Sequence, residues 1–126
     1  MNIGLKHQNP DNHLFERGTL AVVLPDKHVL ESMEQELPID LGISMVHPDD
    51  QFVKKIGRDI AIARLEPKTA LLHEIQQRGT RTVYHMSVIV ENHKEIQPKH
   101  LLIELGISFV PESDHTRLEY AFFGHI

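Results

Sequence analysis

The amino-acid sequence predicts a single α+β domain, with a ferredoxin-like sheet and helices on one of its faces. Three observations lead there. Leu37 to Asp50 (LPIDLGISMVHPDD) and Leu101 to Asp114 (LLIELGISFVPESD) are identical at eight of 14 aligned positions, a mark of internal duplication. Arg17-Gly18-Thr19 recurs as Arg78-Gly79-Thr80, each followed by an apolar β-type run. Other stretches carry apolar residues at helical spacing. One strand–helix–strand unit leaves an apolar sheet face bare, and two units side by side can share one sheet. The plan is repeat one at about 17–50, a helical insertion at about 51–78, repeat two at about 78–114 and a closing strand at 118–123.

Each element has a local reason. Residues 1–13 are polar and hold the turn cluster Asn9-Pro10-Asp11-Asn12, which predicts a loose arm. Thr19 to Leu24 is apolar and β-branched between Gly18 and Pro25, which predicts a buried strand. Asp26 offers an N-cap, and Lys27 to Glu36 carries Val29, Leu30 and Met33 at helical spacing. Gly42 reads as a left-handed helix stop and Ile43 to Val46 as a strand. Asp49 or Asp50 can cap the next helix, whose apolar face is Phe52, Val53, Ile56, Ile60 and Ala63, with Pro67 at its end. Thr69 can cap a further helix over Ala70 to Arg78, stopped by Gly79. A strand with Leu71, His73 and Ile75 alternating is the weaker alternative there. Thr80 to Val90 reads as a long strand, Pro98 to Leu105 as a short helix stopped by Gly106, Ile107 to Val110 as a strand, and Leu118 to Phe123 as the last strand. The LGIS blocks keep a second reading. Ile39, Leu41, Ile43 and Met45 alternate, as do Ile103, Leu105, Ile107 and Phe109, so each block can be one long strand bulged at its glycine.

Composition narrows the function classes. The chain has 126 residues, no cysteine and a net charge of −5 with histidines neutral. Thiolate metal sites and cysteine nucleophiles are excluded. General nucleic-acid binding is not expected, because it draws on a basic surface that displaces counterions. No apolar run approaches the length of a membrane span, and the first residues lack a signal-peptide core, so a cytoplasmic location without membrane contact is expected.

Candidate sites are few. Lys54, Lys55, Arg58 and Arg64 make a basic helix in an acidic chain, with Lys54 and Arg58 on one face. Arg17 and Arg78, each beside a glycine and a threonine, can hold a phosphate or carboxylate. Asp50 and Asp59 also supply ordinary ion-pair partners for the basic helix. Gly57 inside that helix marks a close approach by a neighbour or a ligand. His47 with Asp49 and Asp50 is the nearest thing to a metal cluster, but no metal motif accompanies it. Phosphate loops, dinucleotide fingerprints and nucleophile elbows are lacking, and no cofactor is implied.

The string Asp50-x-Phe52-x-Lys54-Lys55-x-Gly57-Arg58-x-Ile60-Ala61-x-x-Arg64-Leu65 resembles a pattern in small uncharacterised proteins of bacteriophages and related mobile elements. It covers 16 residues and brings no assigned chemistry. The resemblance implies a phage accessory protein that binds a host protein, and so interferes with a host system. Open edge strands in the expected sheet add a homo-oligomer. A small anionic-ligand binder (nucleotide or phosphometabolite) using the basic residues is the first rival. An enzyme dependent on metal or histidine, centred on His47, Asp49 and Asp50, is the second.

Overall fold

Alternation, not helical periodicity, governs both LGIS blocks. A computed structural model describes residues 2–9, 17–32, 34–46, 49–91 and 100–125. Among them are seven strands and two helices: β1 (Ile3–Gln8), β2 (Gly18–Val23), α1 (Lys27–Glu31), β3 (Glu36–Met45), α2 (Lys54–Ala63), β4 (Glu66–Arg78), β5 (Arg81–Val90), β6 (Leu101–Val110) and β7 (His115–His125). Each strand pairs antiparallel with the next, in chain order. The sheet curls until β1 meets β7, giving a nearly closed up-and-down barrel.

This overturns the α+β, ferredoxin-like expectation. Gly42 and Gly106 stop no helix; each lies inside an unbroken strand. Leu37, Ile39, Leu41 and Ile43 point inward from β3, and Leu101, Ile103, Leu105 and Ile107 do so from β6. With Leu20, Val22, Met86, Val88 and Phe123 they fill the barrel. Period-two burial of this kind stabilises a strand more than intrinsic preference can oppose it.

Four further expectations are corrected. The predicted helix over Ala70 to Arg78 is β4, paired to β3 on one side and β5 on the other. Its glutamates, glutamines and leucines favour helix only weakly, and two ladders outweigh that preference. The helical insertion between the repeats therefore reduces to α2. The helix expected over Lys27 to Glu36 is only the short α1, whose Leu30 is fully buried in the core. Lys27 ties α1 to the β6–β7 turn through Asp114, 3.1 Å away. The loose arm contains β1, and the stretch from Leu101 expected as helix is β6; residues 92–99 lie outside the described set.

The duplication is real in register. Ala21 faces Gly42, and His85 faces Gly106; Thr19 faces Ser44, and Val83 faces Ser108. Every equivalent pair is 64 residues apart. The structural counterpart of Arg17 is therefore Arg81, not Arg78. Arg78-Gly79-Thr80 forms the β4–β5 hairpin instead, with Gly79 at φ 61°, a conformation in which glycine avoids the usual steric cost.

Among the described residues no backbone ladder joins β1 to β7, and side-chain amides bridge the two strands. Gln8 accepts from the Phe123 N–H at 3.0 Å and donates to the Phe123 carbonyl at 2.8 Å. Asn2 donates to the Thr116 carbonyl at 2.9 Å. Gln8 is buried, so its amide satisfies backbone groups that water does not reach.

Candidate interaction site

Helix α2 lies on the outside of the barrel, across β2 and β3, and the side it buries is its smallest. Only Gly57 and Ala61 are buried. Thr19, Ala21, Gly42 and Ser44 form the buried outer surface of β2 and β3. A Cβ on Gly42 would lie 2.0 Å from the Ala61 carbonyl oxygen, and one on Gly57 would lie 2.4 Å from Thr19 Oγ1. Small residues on both surfaces thus let backbone approach backbone, and the contact rests on close dispersion packing.

That choice turns the larger aliphatic residues outward. The sequence places Val53 and Ile56 on the core face, yet Ile56 is 57% exposed and Val53 40%. At 100° per residue, Gly57 and Ala61 define the inner line, and the two flanks then differ in chemistry. Ile56 and Ile60 face a groove of about 390 Å³ that they line with Met45, Val46 and Val53. Lys54 and Arg58 take the other flank, towards β1. Both cations help hold the His7 imidazole below its ordinary pKa, after desolvation by burial, the larger cause. His7 Nδ1 lies 2.9 Å from Thr19 Oγ1, and its ring meets Phe52 edge-on at 6.1 Å.

The predicted basic residues do not form one site. Lys55 pairs with Asp59 at 2.9 Å and Arg58 with the same carboxylate at 3.4 Å, on the exposed crest of α2. The Lys55 hydrogen bond leads in holding the Asp59 carboxyl below its ordinary range. Arg17 reaches the segment entering α2 and donates to the Asp50 carbonyl at 3.2 Å. Arg64 lies at the far end of the helix and donates to the Ile43 carbonyl at 3.1 Å. Arg78 sits at the β4–β5 hairpin, bonded to Gln76 at 3.1 Å. The structure therefore gathers Arg17, Lys54, Lys55 and Arg58 near the start of α2 and separates Arg64 and Arg78 from them. Asp49 and Asp50 do not cap the helix; Val53 takes that position, without a side-chain bond. His47 lies outside the described residues, among which no three His, Cys, Asp or Glu side chains are grouped to hold a metal.

Sequence reasoning missed a second surface, the outer face of β4 to β7. Tyr120 on β7 crosses Gly106 on β6, where a Cβ would lie 2.2 Å from its ring, and its hydroxyl meets His85 Nδ1 on β5. His85 Nε2 continues to Gln76 on β4 at 3.0 Å. Glu119, the extra residue where the β6–β7 register shifts, accepts from Ser108 at 2.7 Å and Arg81 at 3.0 Å. A second row runs Leu71, Ser87, Glu104, Phe122 across the four strands. His73 bonds Ser87 beside it. Burial leads, and Glu104 follows, in raising the Tyr120 phenol above its ordinary pKa. The only sequence signal for this face was the Tyr120–Phe122 spacing, which puts two aromatic rings on one side of a strand.

Comparison with protein-family models, with curated proteins and with solved structures found no match to this chain. Among the described residues no helix is long and apolar enough to cross a membrane.

Proposed function

We propose that this chain is a non-enzymatic binding module that engages a protein partner along α2. Val53 and Ile56 serve as apolar anchors, and Lys54, Lys55, Arg58 and Arg17 as a cationic rim. The observation that carries this reading is the orientation of the helix. Its glycine and alanine go inward, and two branched aliphatic residues stand in water beside a groove. Exposed apolar side chains framed by charge are the pattern of a docking surface. Cations on an otherwise acidic chain select a partner with a carboxylate-rich surface, and steer its approach. The resemblance of residues 50–65 to phage proteins supports a host protein in that role.

The anionic-ligand rival has one observation in its favour, the convergence of Lys54 and Arg58 on the flank beside His7. It predicts a thermal shift with phosphate or nucleotides that Arg58→Ala abolishes.

The test is a photo-crosslinking residue at position 56, with a control at the exposed Glu112. The expected result is a discrete protein adduct from position 56 alone, lost when Lys54 and Lys55 are both changed to glutamate. No adduct, or the same adduct from both positions, overturns the reading.

A further inference from the structure

β3 is paired on both sides only in its first part. β4 begins at Glu66 opposite Leu41, so among the described residues Gly42 to Met45 have β2 on one side and no strand on the other. The Val46 N–H donates to the Arg17 carbonyl at 2.9 Å. Alternation along the strand then turns the backbone of Gly42 and Ser44 towards β2, and that of Ile43 and Met45 towards the open side. Arg64 Nη1 donates to the Ile43 carbonyl there at 3.1 Å. The Ile43 N–H, the Met45 N–H and the Met45 carbonyl have no hydrogen-bond partner among the described residues. We infer that this edge takes up an extended segment of the partner protein as an added strand, laid in the groove beside Ile56 and Ile60. The inference rests on the α2 reading above and gives the form that the partner takes there.

Three features favour an extended segment over a helix. A helix has already bonded its own backbone groups, whereas an added strand brings N–H and carbonyl groups at the spacing of Ile43 and Met45. The edge also has room beside it. The groove of about 390 Å³ reaches Met45 and Val46, and a smaller hollow of about 90 Å³ adjoins Ile43 beside Arg64 and Val90. Finally, the groove suits alternating side chains. Asp50 is the one charged residue that lines it, and Val53, Ile56 and Ile60 give it an apolar wall. In a strand laid there every second side chain faces that wall, and the others turn to the opposite face. The partner segment is therefore aliphatic at every second position, with its carboxylates outside the groove, near the cationic rim. So short an edge does not invite indiscriminate pairing, and the apolar wall supplies the rest of the affinity.

The probe is a displayed library of short random peptides, selected on the immobilised chain and counter-selected on its Ile56→Arg variant. The strongest binder is remade with single N-methyl groups along its backbone. Methylation should weaken binding about tenfold or more at alternate residues only, because only those donate to β3. Amide exchange at Ile43 and Met45 should slow when the peptide binds. Met45→Pro removes the edge donor at a place where an edge strand tolerates proline, and should abolish binding with circular dichroism unchanged. Should that variant lose its fold, the methylated peptides decide alone, since they leave the protein untouched. Equal sensitivity at every methylated residue, exchange at Ile43 and Met45 that does not slow, or a selection that yields no peptide overturns the inference. A protein crosslink from position 56 alongside any of these leaves the proposed function standing. Neither crosslink nor selected peptide sinks both.

Discussion

Gly42 and Gly106 occupy the same place in two copies of the same motif, and the molecule spends the missing side chain differently at each. At Gly42 the space is taken by backbone, the Ala61 carbonyl of α2. At Gly106 it is taken by the Tyr120 ring, reaching from the neighbouring strand. A glycine in a strand weakens it unless something covers the gap. Here a helix covers one gap and an aromatic ring the other, a cross-strand arrangement also used to rescue edge glycines. The two copies thus share their strand pairing and differ in what covers them outside. The helix-covered face became a platform for α2, whereas the ring-covered face became a polar network rimmed by exposed apolar residues.

The sharpest test of this difference is Gly42→Ala against Gly106→Ala. The first drives a methyl into helix backbone that has nowhere to go, so a loss of about 3 kcal/mol or more is expected, a fall of about 10 °C in melting temperature. The second meets a ring that can swing aside, so a loss of about 1–2 kcal/mol is expected. Equal losses would show that Tyr120 is held as firmly as the helix. Next in size is Gln8→Ala, at the join between β1 and β7. It strands the Phe123 N–H and carbonyl in a buried place, and about 2–3 kcal/mol should be lost in denaturant unfolding. A double-mutant cycle then isolates the ring. In a Tyr120→Ala background, Gly106→Ala should become nearly neutral, a coupling of about 1–2 kcal/mol. Gly42→Ala should cost the same in either background.

The smallest effect belongs to His7. Its folded pKa is below its unfolded value, so the unfolded chain binds more protons between the two. Its favourable contribution is complete above pH of about 6.5 and fades as pH falls through the folded pKa. His7→Gln should flatten that part of the stability profile. So should Lys54→Gln, in smaller measure, because Lys54 ranks behind desolvation as a cause.

Much of the strand pattern was legible as alternation: Ile39 to Met45 and Ile103 to Phe109 announced long strands as clearly as they announced a helix stop. The glycines misled because a left-handed stop and a site of close approach call for the same residue. β4 was hidden by helix-forming residues whose preference is small beside two ladders. β1 was hidden because only one of its faces packs inward, and Lys6, His7 and Gln8 read as a polar tail. The presence of α2 could be found from its spacing, but neither its start, which falls at Lys54 instead of after Asp49 or Asp50, nor its rotation. Period alone favours burying Val53 and Ile56; the small surface of Thr19, Ala21, Gly42 and Ser44, assembled from distant parts of the chain, favours burying Gly57 and Ala61. Of the site, Lys54, Lys55 and Arg58 were legible as neighbours on one helix. The separation of Arg64 and Arg78 from them depends on topology. The Tyr120–His85–Gln76 chain spans three strands and has no local signature.

The amide stitches at the seam also decide how this barrel comes apart. Every other junction between strands is a ladder of backbone bonds, whereas β1 and β7 are joined by the side chains of Gln8 and Asn2. Amide exchange should therefore report the lowest opening free energy along β1, well before β5 and β6 yield. An open seam leaves two bare strand edges, each able to pair with another chain. Gln8 and Asn2 hold those two edges together, and weakening them is expected to show first as turbidity on gentle warming, below the temperature at which the core itself melts.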